Sequence, residues 1–551
     1  MAEQRRVKNQ NFISKNKLRA AAWLVICIVV LLKTVFLNKK FQTQGLSFYV
    51  VTFTFVFLTA FIFARTLREV VGKAVGYRKS RNQYKNALQM MKTGSLAGLA
   101  LGILMFFIFV LIAGRVTNLT FKLGAYGTFP MILFAVSLPF MFFSAAVLGC
   151  FDGFDFDMPD GGSKIIFGIS DLLLSICLAF LAGGMGEKHA KLLHDDNVVS
   201  AFGATGAAAG FSGACILMAV WLFALFQAFR KKMKSRILED TSRSQESFSE
   251  QIIGLLAACG TPFVRHFALF GSLLLEQILF FGFFKVPAVQ SAVGNGPNYV
   301  WMYYILILFW FLLPFGMTML LSKFSGLYLE KVMKKDDIYH CGMRIVLGIK
   351  QYLCFILPMV CVMGICCGAS FSETAVLDRQ FLPFFLVTIV CVLWGLAILE
   401  MAMLKGIGKE WLGIGCALGA LVIQTIGTVL LFLKSCYYVK DILLCNLIGA
   451  VVFFAGCSLF LGRFCVYKKN LVHHILMPLS AAVVVVVASV LCMFLRKAIG
   501  NIPAVVITFA VSFVVHSITL IVVGAVKEGE LHEFPQGKIL GAIGRLMGIY
   551  K

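Results

Sequence analysis

Charge is scarce in these 551 residues, and acidic charge is scarcest. Asp and Glu number 26 against 50 Lys and Arg, and the four types together make up 14% of the chain. A soluble domain carries about 25% charged residues, so a water-soluble enzyme is excluded. No G-x-x-x-x-G-K-[ST] run is present, so no P-loop supplies energy from a nucleotide. The 17 cysteines show no metal-ligand spacing and fall mostly inside apolar runs, Cys366 and Cys367 among them, as lipid- or core-facing side chains do. Asp152, Asp155, Asp157 and Asp160 alternate like a calcium loop but lack its downstream Glu, so no metal is expected. The first apolar run follows a basic segment and lacks a small-residue cleavage site, which makes it a span and not a signal peptide.

What is abundant is apolar surface. Hydrophobic residues make up 60% of the chain, and mean hydropathy is +0.89. Runs of 18 or more apolar residues recur throughout, each long enough to cross about 30 Å of hydrocarbon as a helix. Open strands leave backbone groups unsatisfied in lipid, so the expected class is an all-α polytopic membrane protein. About fourteen transmembrane helices are expected, at 20–37, 46–64, 94–114, 129–149, 164–184, 198–228, 253–284, 299–322, 343–367, 381–403, 411–433, 441–462, 474–495 and 501–526. The seventh is too long for one straight span, and Pro262 is expected to divide it.

The net charge of +24 does not point to nucleic acid, because the basic residues sit in short loops between spans. Arg65 to Lys92, Arg230 to Arg243 and Lys323 to Lys335 alternate with loops poor in Lys and Arg. The positive-inside rule then places both termini in the cytoplasm of a bacterial inner membrane. The Asp152–Asp160 loop falls on the same side, against the trend. The expected organisation is a cytoplasmic segment 1–19, an N-lobe 20–228, a linker 229–252, a C-lobe 253–462, two further spans within 463–526, and a cytoplasmic tail 527–551. No external loop is long enough to house a catalytic domain, so no catalytic residues and no cofactor are expected.

Two features recur about 250 residues apart. A basic loop runs Gly72-Lys73 to Tyr84-Lys85 and again Ser322-Lys323 to Tyr339. A glycine turn reads Leu148-Gly149-Cys150-Phe151-Asp152-Gly153 and again Leu404-Lys405-Gly406-Ile407-Gly408-Lys409. Each half then holds six spans, an even number, so the two lobes are related by a pseudo-two-fold along the membrane normal, with two C-terminal helices left over.

This arrangement resembles the MOP flippase superfamily, and within it the polysaccharide-transport branch that includes stage V sporulation protein B and the lipid II flippases of the MurJ type. The loop Gly72-Lys73-Ala74-Val75 to Arg81-Asn82-Gln83-Tyr84-Lys85-Asn86-Ala87 carries the resemblance. So do Leu313-Pro314-Phe315-Gly316 with Leu321-Ser322-Lys323-Phe324-Ser325, the turn Leu404 to Lys409, and the tail Leu531-His532-Glu533-Phe534-Pro535-Gln536-Gly537-Lys538. Two departures stand out. Thr66-Leu67-Arg68 replaces the Gly-Leu-Pro that ends span 2, and Tyr303-Tyr304-Ile305-Leu306-Ile307 replaces a stretch that carries an arginine. The resemblance implies a flippase for a saccharide on polyprenyl diphosphate, working by alternating access, with membrane lipid and polysaccharide or peptidoglycan synthesis enzymes as partners. The alternative is a MATE-type cation-coupled drug exporter of the same fold, which needs an acidic site in the N-lobe.

Ionisable groups inside spans cost about 2.5–3.5 kcal/mol each and are candidates by default. Lys33 and Lys39 match by spacing the paired arginines of MurJ-like cavities. Lys39, with Lys40, also suits an interfacial anchor. Arg65 and Arg68 end span 2, where they either meet phosphates or follow the positive-inside rule. Arg265, His266 and Glu276 lie along span 7 as cavity groups or as an internal salt bridge. Asp171 and Glu400 are intramembrane carboxylates, Asp171 alone in the N-lobe. Trp301, Tyr303 and Tyr304 suit sugar contact or an aromatic belt, and His516 suits an interhelical hydrogen bond.

Overall fold

The computed structural model describes the chain except residues 1–11, 121–122, 196, 234–239, 243, 280–312, 335–337, 372–380, 435–438, 466–471 and 551, and some side chains between these. Among the described residues there is no strand. Among the described residues twelve helices are long and apolar enough to cross a membrane, or thirteen if one bent pair counts as a span. The eighth expected span begins outside the described residues and is seen from Leu313 onward. The chain forms two compact units, Ala21–Tyr304, and Met1–Ala20 with Ile305–Lys551.

The first unit holds most of α1 (Lys17–Phe41) and all of α2 (Phe48–Ser80), which lie on one unbroken helical run. Then come α3 (Tyr84–Arg115), α4 (Ala125–Gly153), α5 (Met158–Leu193) and α6 (Asn197–Met233). Helices α7 (Phe248–Ala258) and α8 (Gly260–Gln277) close the unit. Helix α7 starts where Ser247 and Glu250 form a capping box: the Ser247 hydroxyl accepts from the Glu250 N–H and the Glu250 carboxylate accepts from the Ser247 N–H, satisfying two orphan donors. The α7–α8 pair bends by 41° at Cys259. The Pro262 ring cannot sit beside the carbonyl four residues earlier, which is that of Ala258, so the division of the long seventh run falls where the proline requires it.

Helices α5 and α6 approach until only hydrogen fits between them. A Cβ on Gly206 would lie 2.2 Å from the Leu178 carbonyl oxygen, and one on Gly210 would lie 2.3 Å from the Ser175 backbone. This small-xxx-small spacing lets two helices pack backbone to backbone in lipid, where burial of apolar surface gives no drive.

The second unit holds α9 (Leu313–Met333), α10 (His340–Cys366), α11 (Phe381–Gly406), α12 (Glu410–Leu433) and α13 (Val439–Phe464). The two added helices, α14 (Val472–Ile499) and α15 (Asn501–Val522), pack on each other and on α10. Val362, Ile365, Val485, Met493 and Ala504 form their shared core, and Ser489 hydrogen-bonds Ser512 at 2.7 Å. A tail helix, α16 (Gly537–Leu546), follows. Helix α10 widens into a π turn at Tyr352–Ile356, just before Pro358. Proline offers no N–H to the carbonyl four residues back, here that of Cys354. That oxygen accepts instead from His516 Nε2 at 2.7 Å and Gln536 Nε2 at 3.4 Å. A buried carbonyl stripped of its helical donor needs such a replacement, so His516 makes the interhelical bond expected of it.

The repeat recurs as geometry inside each unit. A Cβ on Gly153 would meet the Gly72 carbonyl oxygen at 2.7 Å, and one on Gly72 would meet that of Gly149 at 3.1 Å. A Cβ on Gly406 would meet the Gly326 carbonyl oxygen at 2.6 Å, and one on Gly326 would meet that of Ala402 at 2.8 Å. Equivalent positions stand 254 (72 to 326) and 253 (149 to 402, 153 to 406) residues apart.

Candidate functional site

A buried ion pair joins α1 and α5 in the interior of the first unit. Lys33 on α1 and Asp171 on α5 are 5% and 4% exposed. The ammonium lies 2.7 and 2.9 Å from the two carboxylate oxygens. Ser175, one turn further along α5, donates to Asp171 Oδ1 at 2.9 Å and also reaches the Ala207 carbonyl of α6 at 3.1 Å. The backbone contact at Gly206 and Gly210 is what brings Ala207 within that reach. The ammonium also stands 4.9 Å from the Tyr49 ring centre and 5.6 Å from that of Phe211. Tyr49 and Phe211 belong to an aromatic cluster with Phe53 and Phe134, ring centres 5.1 to 5.7 Å apart. Both charges are therefore desolvated and paired, and the ammonium lies against two rings. Removing one member of such a pair leaves an uncompensated buried charge, at about 3–5 kcal/mol.

A second charged cluster sits at the end of α2. Arg68 donates from Nε to Asp152 and from Nη1 to Asp160, each at 2.7 Å. Lys164 also reaches Asp160, at 2.9 Å, and Lys79 reaches Asp155 at 2.8 Å. The acidic loop thus neutralises the basic loop beside it, which is why it lies on the basic side. Arg265 of α8 pairs with Glu69. His266 Nε2 and Lys73 Nζ also approach that carboxylate, at 3.3 and 3.0 Å. Arg65 packs its guanidinium over Phe61 at 5.7 Å and has no carboxylate within ion-pair distance among the described residues.

The other candidates are dispersed. Lys39 and Lys40 are exposed, with the Lys40 ammonium 5.4 Å from the Phe180 ring. Glu276 is buried on α8 at 4% exposure, and its neighbour Gln277 donates to Val51 O and Thr54 Oγ1 at 2.8 Å. Glu400, 1% exposed, accepts from Ser458 at 2.7 and 2.9 Å in the second unit. Trp301, Tyr303 and Tyr304 lie outside the described residues. No group of three or more metal-ligating side chains occurs among the described residues. Sequence reasoning passed over Ser175, Tyr49, Phe211 and Glu69. Ser175 stands four residues after Asp171, a spacing that shares a helix face.

No protein-family profile and no curated protein sequence matches this chain. Solved structures do. An inward-facing multidrug resistance MATE family transporter of the MOP superfamily superposes with a TM-score of 0.57 at 14% identity, over 82% of this chain and 99% of that one. The outward-facing form of such a transporter gives 0.57 at 12% identity, over 83% and 97%. A MOP superfamily transporter from Pyrococcus furiosus, described as having a binding pocket of reverse polarity that suggests a different function, gives 0.55 at 14% identity, over 83% and 97%. The chain therefore has the fold of the MOP-superfamily membrane transporters.

Proposed function

We propose that this protein is a secondary exporter of small amphipathic molecules, coupled to cation entry through Asp171. The observation that carries this is the buried carboxylate of Asp171 between α1 and α5, held by Lys33 and Ser175 beside aromatic rings. A carboxylate in this position is the acidic site that the exporter reading demands, and the fold of MATE transporters supports the same reading. Here the chain supplies its own cation. A proton or metal ion arriving at Asp171 competes with the Lys33 ammonium, and a displaced ammonium cannot remain buried and unpaired. Lys33 then moves toward a new partner, and the helices that carry the pair, α1 and α5, move with it. Exchange of one cation for the other is thereby tied to rearrangement of the unit, as alternating access requires.

The test is dye export from inverted membrane vesicles under an imposed proton or sodium gradient. Gradient-driven export that Asp171→Asn abolishes supports the reading; export indifferent to both gradients sinks it.

A second reading is flipping of a polyprenyl-diphosphate-linked saccharide in a bacterial inner membrane, with both termini cytoplasmic. Two observations favour it: the added pair α14 and α15, an apolar surface of the kind a lipid tail needs, and Arg65, a cation with no carboxylate partner among the described residues. An inside-negative potential favours outward movement of anions by about 2.3 kcal/mol per charge per 100 mV. Rescue of cells depleted of their lipid II flippase, lost with Lys33→Ala and Arg265→Ala, selects this reading.

A further inference from the structure

The chain beyond α15 folds back onto the second unit. Gly524, at φ +71°, turns it in a left-handed conformation that suits glycine. A short 3-10 turn, Glu528–Glu533, leads into α16. Phe534 and Leu540 are buried in a core with Cys354, Ala481 and Leu520. Two carboxylates of the turn reach α10: Glu530 lies 2.6 Å from Lys350 Nζ, and Glu533 lies 3.1 Å from Arg344 Nη1. His473 Nε2 stands 3.0 Å from the same ammonium, and Gln351 donates to the Glu533 carbonyl at 2.8 Å.

The basic groups are built in, not loose on a surface. Lys350 is 1% exposed and Arg344 is 5% exposed. The Arg344 guanidinium packs 4.6 and 4.7 Å from the ring centres of Phe324 and Tyr328. Its Nε and Nη2 are buried yet have no hydrogen-bond partner. A guanidinium is a fork of five N–H donors, and Glu533 uses one of them, so the tail under-fills the site. A phosphate group, with several terminal oxygens, matches such a fork bidentately. The outer side of α16 exposes Ile539 and Leu546 beside Lys538 and Arg545. An apolar and basic helix surface of this kind suits the headgroup layer of an anionic membrane.

We propose that the Arg344 guanidinium forms a site for the phosphate of an anionic lipid headgroup, and that Glu533, with Glu530 fastening the tail to Lys350, keeps it closed until such a headgroup displaces the tail. The tail is then a lipid-responsive latch on the second unit.

Hydrogen exchange across 530–546, read by mass spectrometry on the full chain, tests this in three settings: phosphatidylcholine vesicles, the same with phosphatidylglycerol, and phosphatidylcholine with inorganic phosphate. The expected result is exchange about tenfold faster with phosphatidylglycerol, and no such response in Arg344→Gln. A Glu530→Gln, Glu533→Gln double variant, which leaves the basic groups intact, exchanges fast in phosphatidylcholine already. A rise with inorganic phosphate alone keeps the site and makes its ligand a soluble phosphate. Unchanged exchange of the wild-type chain in all three settings overturns the proposal, as does a full response in Arg344→Gln.

Discussion

At the scale of single residues, the Lys33–Asp171 pair makes a prediction separable from transport. Lys33→Met or Asp171→Leu alone strands a buried charge and lowers stability by about 3–5 kcal/mol. The double substitution removes both charges and recovers most of that loss. Melting temperatures in detergent for the four proteins check this; equal additive losses would contradict it. Both residues were legible in the sequence as ionisable groups inside spans. Their pairing was not, because they stand 138 residues apart and nothing local says that α1 meets α5. Lys39 does not share the setting of Lys33. Six residues along a helix turn about 240° around its axis, away from the face of Lys33, and Lys39 is exposed. A pH prediction belongs to Glu530. Its burial raises the carboxyl, but the hydrogen bond and charge of Lys350, with the Lys527 N–H and His473, outweigh that and leave it below the ordinary carboxylate range. A depressed carboxylate contributes its full stability above its unfolded pKa of about 4.3 and loses it as pH falls through the folded value. Protection of the tail in hydrogen exchange is therefore expected to be flat near neutral pH and to fall in acid below about pH 4.

At the scale of elements, the close crossings decide which helices can carry the site. Gly210→Ala places a methyl 2.3 Å from the Ser175 backbone. The helices must part, and stability is expected to fall by about 1–3 kcal/mol. Gly184→Ala on α5, where a Cβ meets nothing within 4 Å, is the control and is expected to be neutral or better by up to about 1 kcal/mol. Apparent melting temperatures of the two variants separate crossing from propensity. The π turn makes a parallel case. His516→Leu leaves the Cys354 carbonyl with only a long bond from Gln536 and is expected to cost about 1–3 kcal/mol, whereas His516→Gln keeps a donor and costs less. Pro262 and Pro358 could be read from the sequence as breaks, since proline acts on the carbonyl four residues before it. The partner of the Asp152–Asp160 loop could not. Its charges looked misplaced by side, and only the fold brings Arg68 to Asp152 and Asp160.

At the scale of the molecule, the class was written in composition: scarce charge and recurrent apolar runs leave a helical bundle as the one way to satisfy the backbone in lipid. Ion pairs gather loops at one end of each unit. Arg78 pairs with Glu246, and Lys79 with Asp155, so the loop after α2, the acidic loop and the linker share a side. The tail meets the start of α10 in the same manner. Cysteines placed at Asp155 and Lys538 are expected to react with a membrane-impermeant maleimide from the cytoplasmic side, and one at His194 from the outer side; reactivity of Asp155→Cys from outside would reverse the assigned topology. The crossings at Gly72 with Gly153 and Gly326 with Gly406 bear on ancestry as well. A position that admits only a hydrogen atom is closed to the drift that rewrites side chains facing cargo or lipid. The chain therefore reads as the doubling of one ancestral half, in which each copy has kept the same glycine contact while the side chains around it diverged.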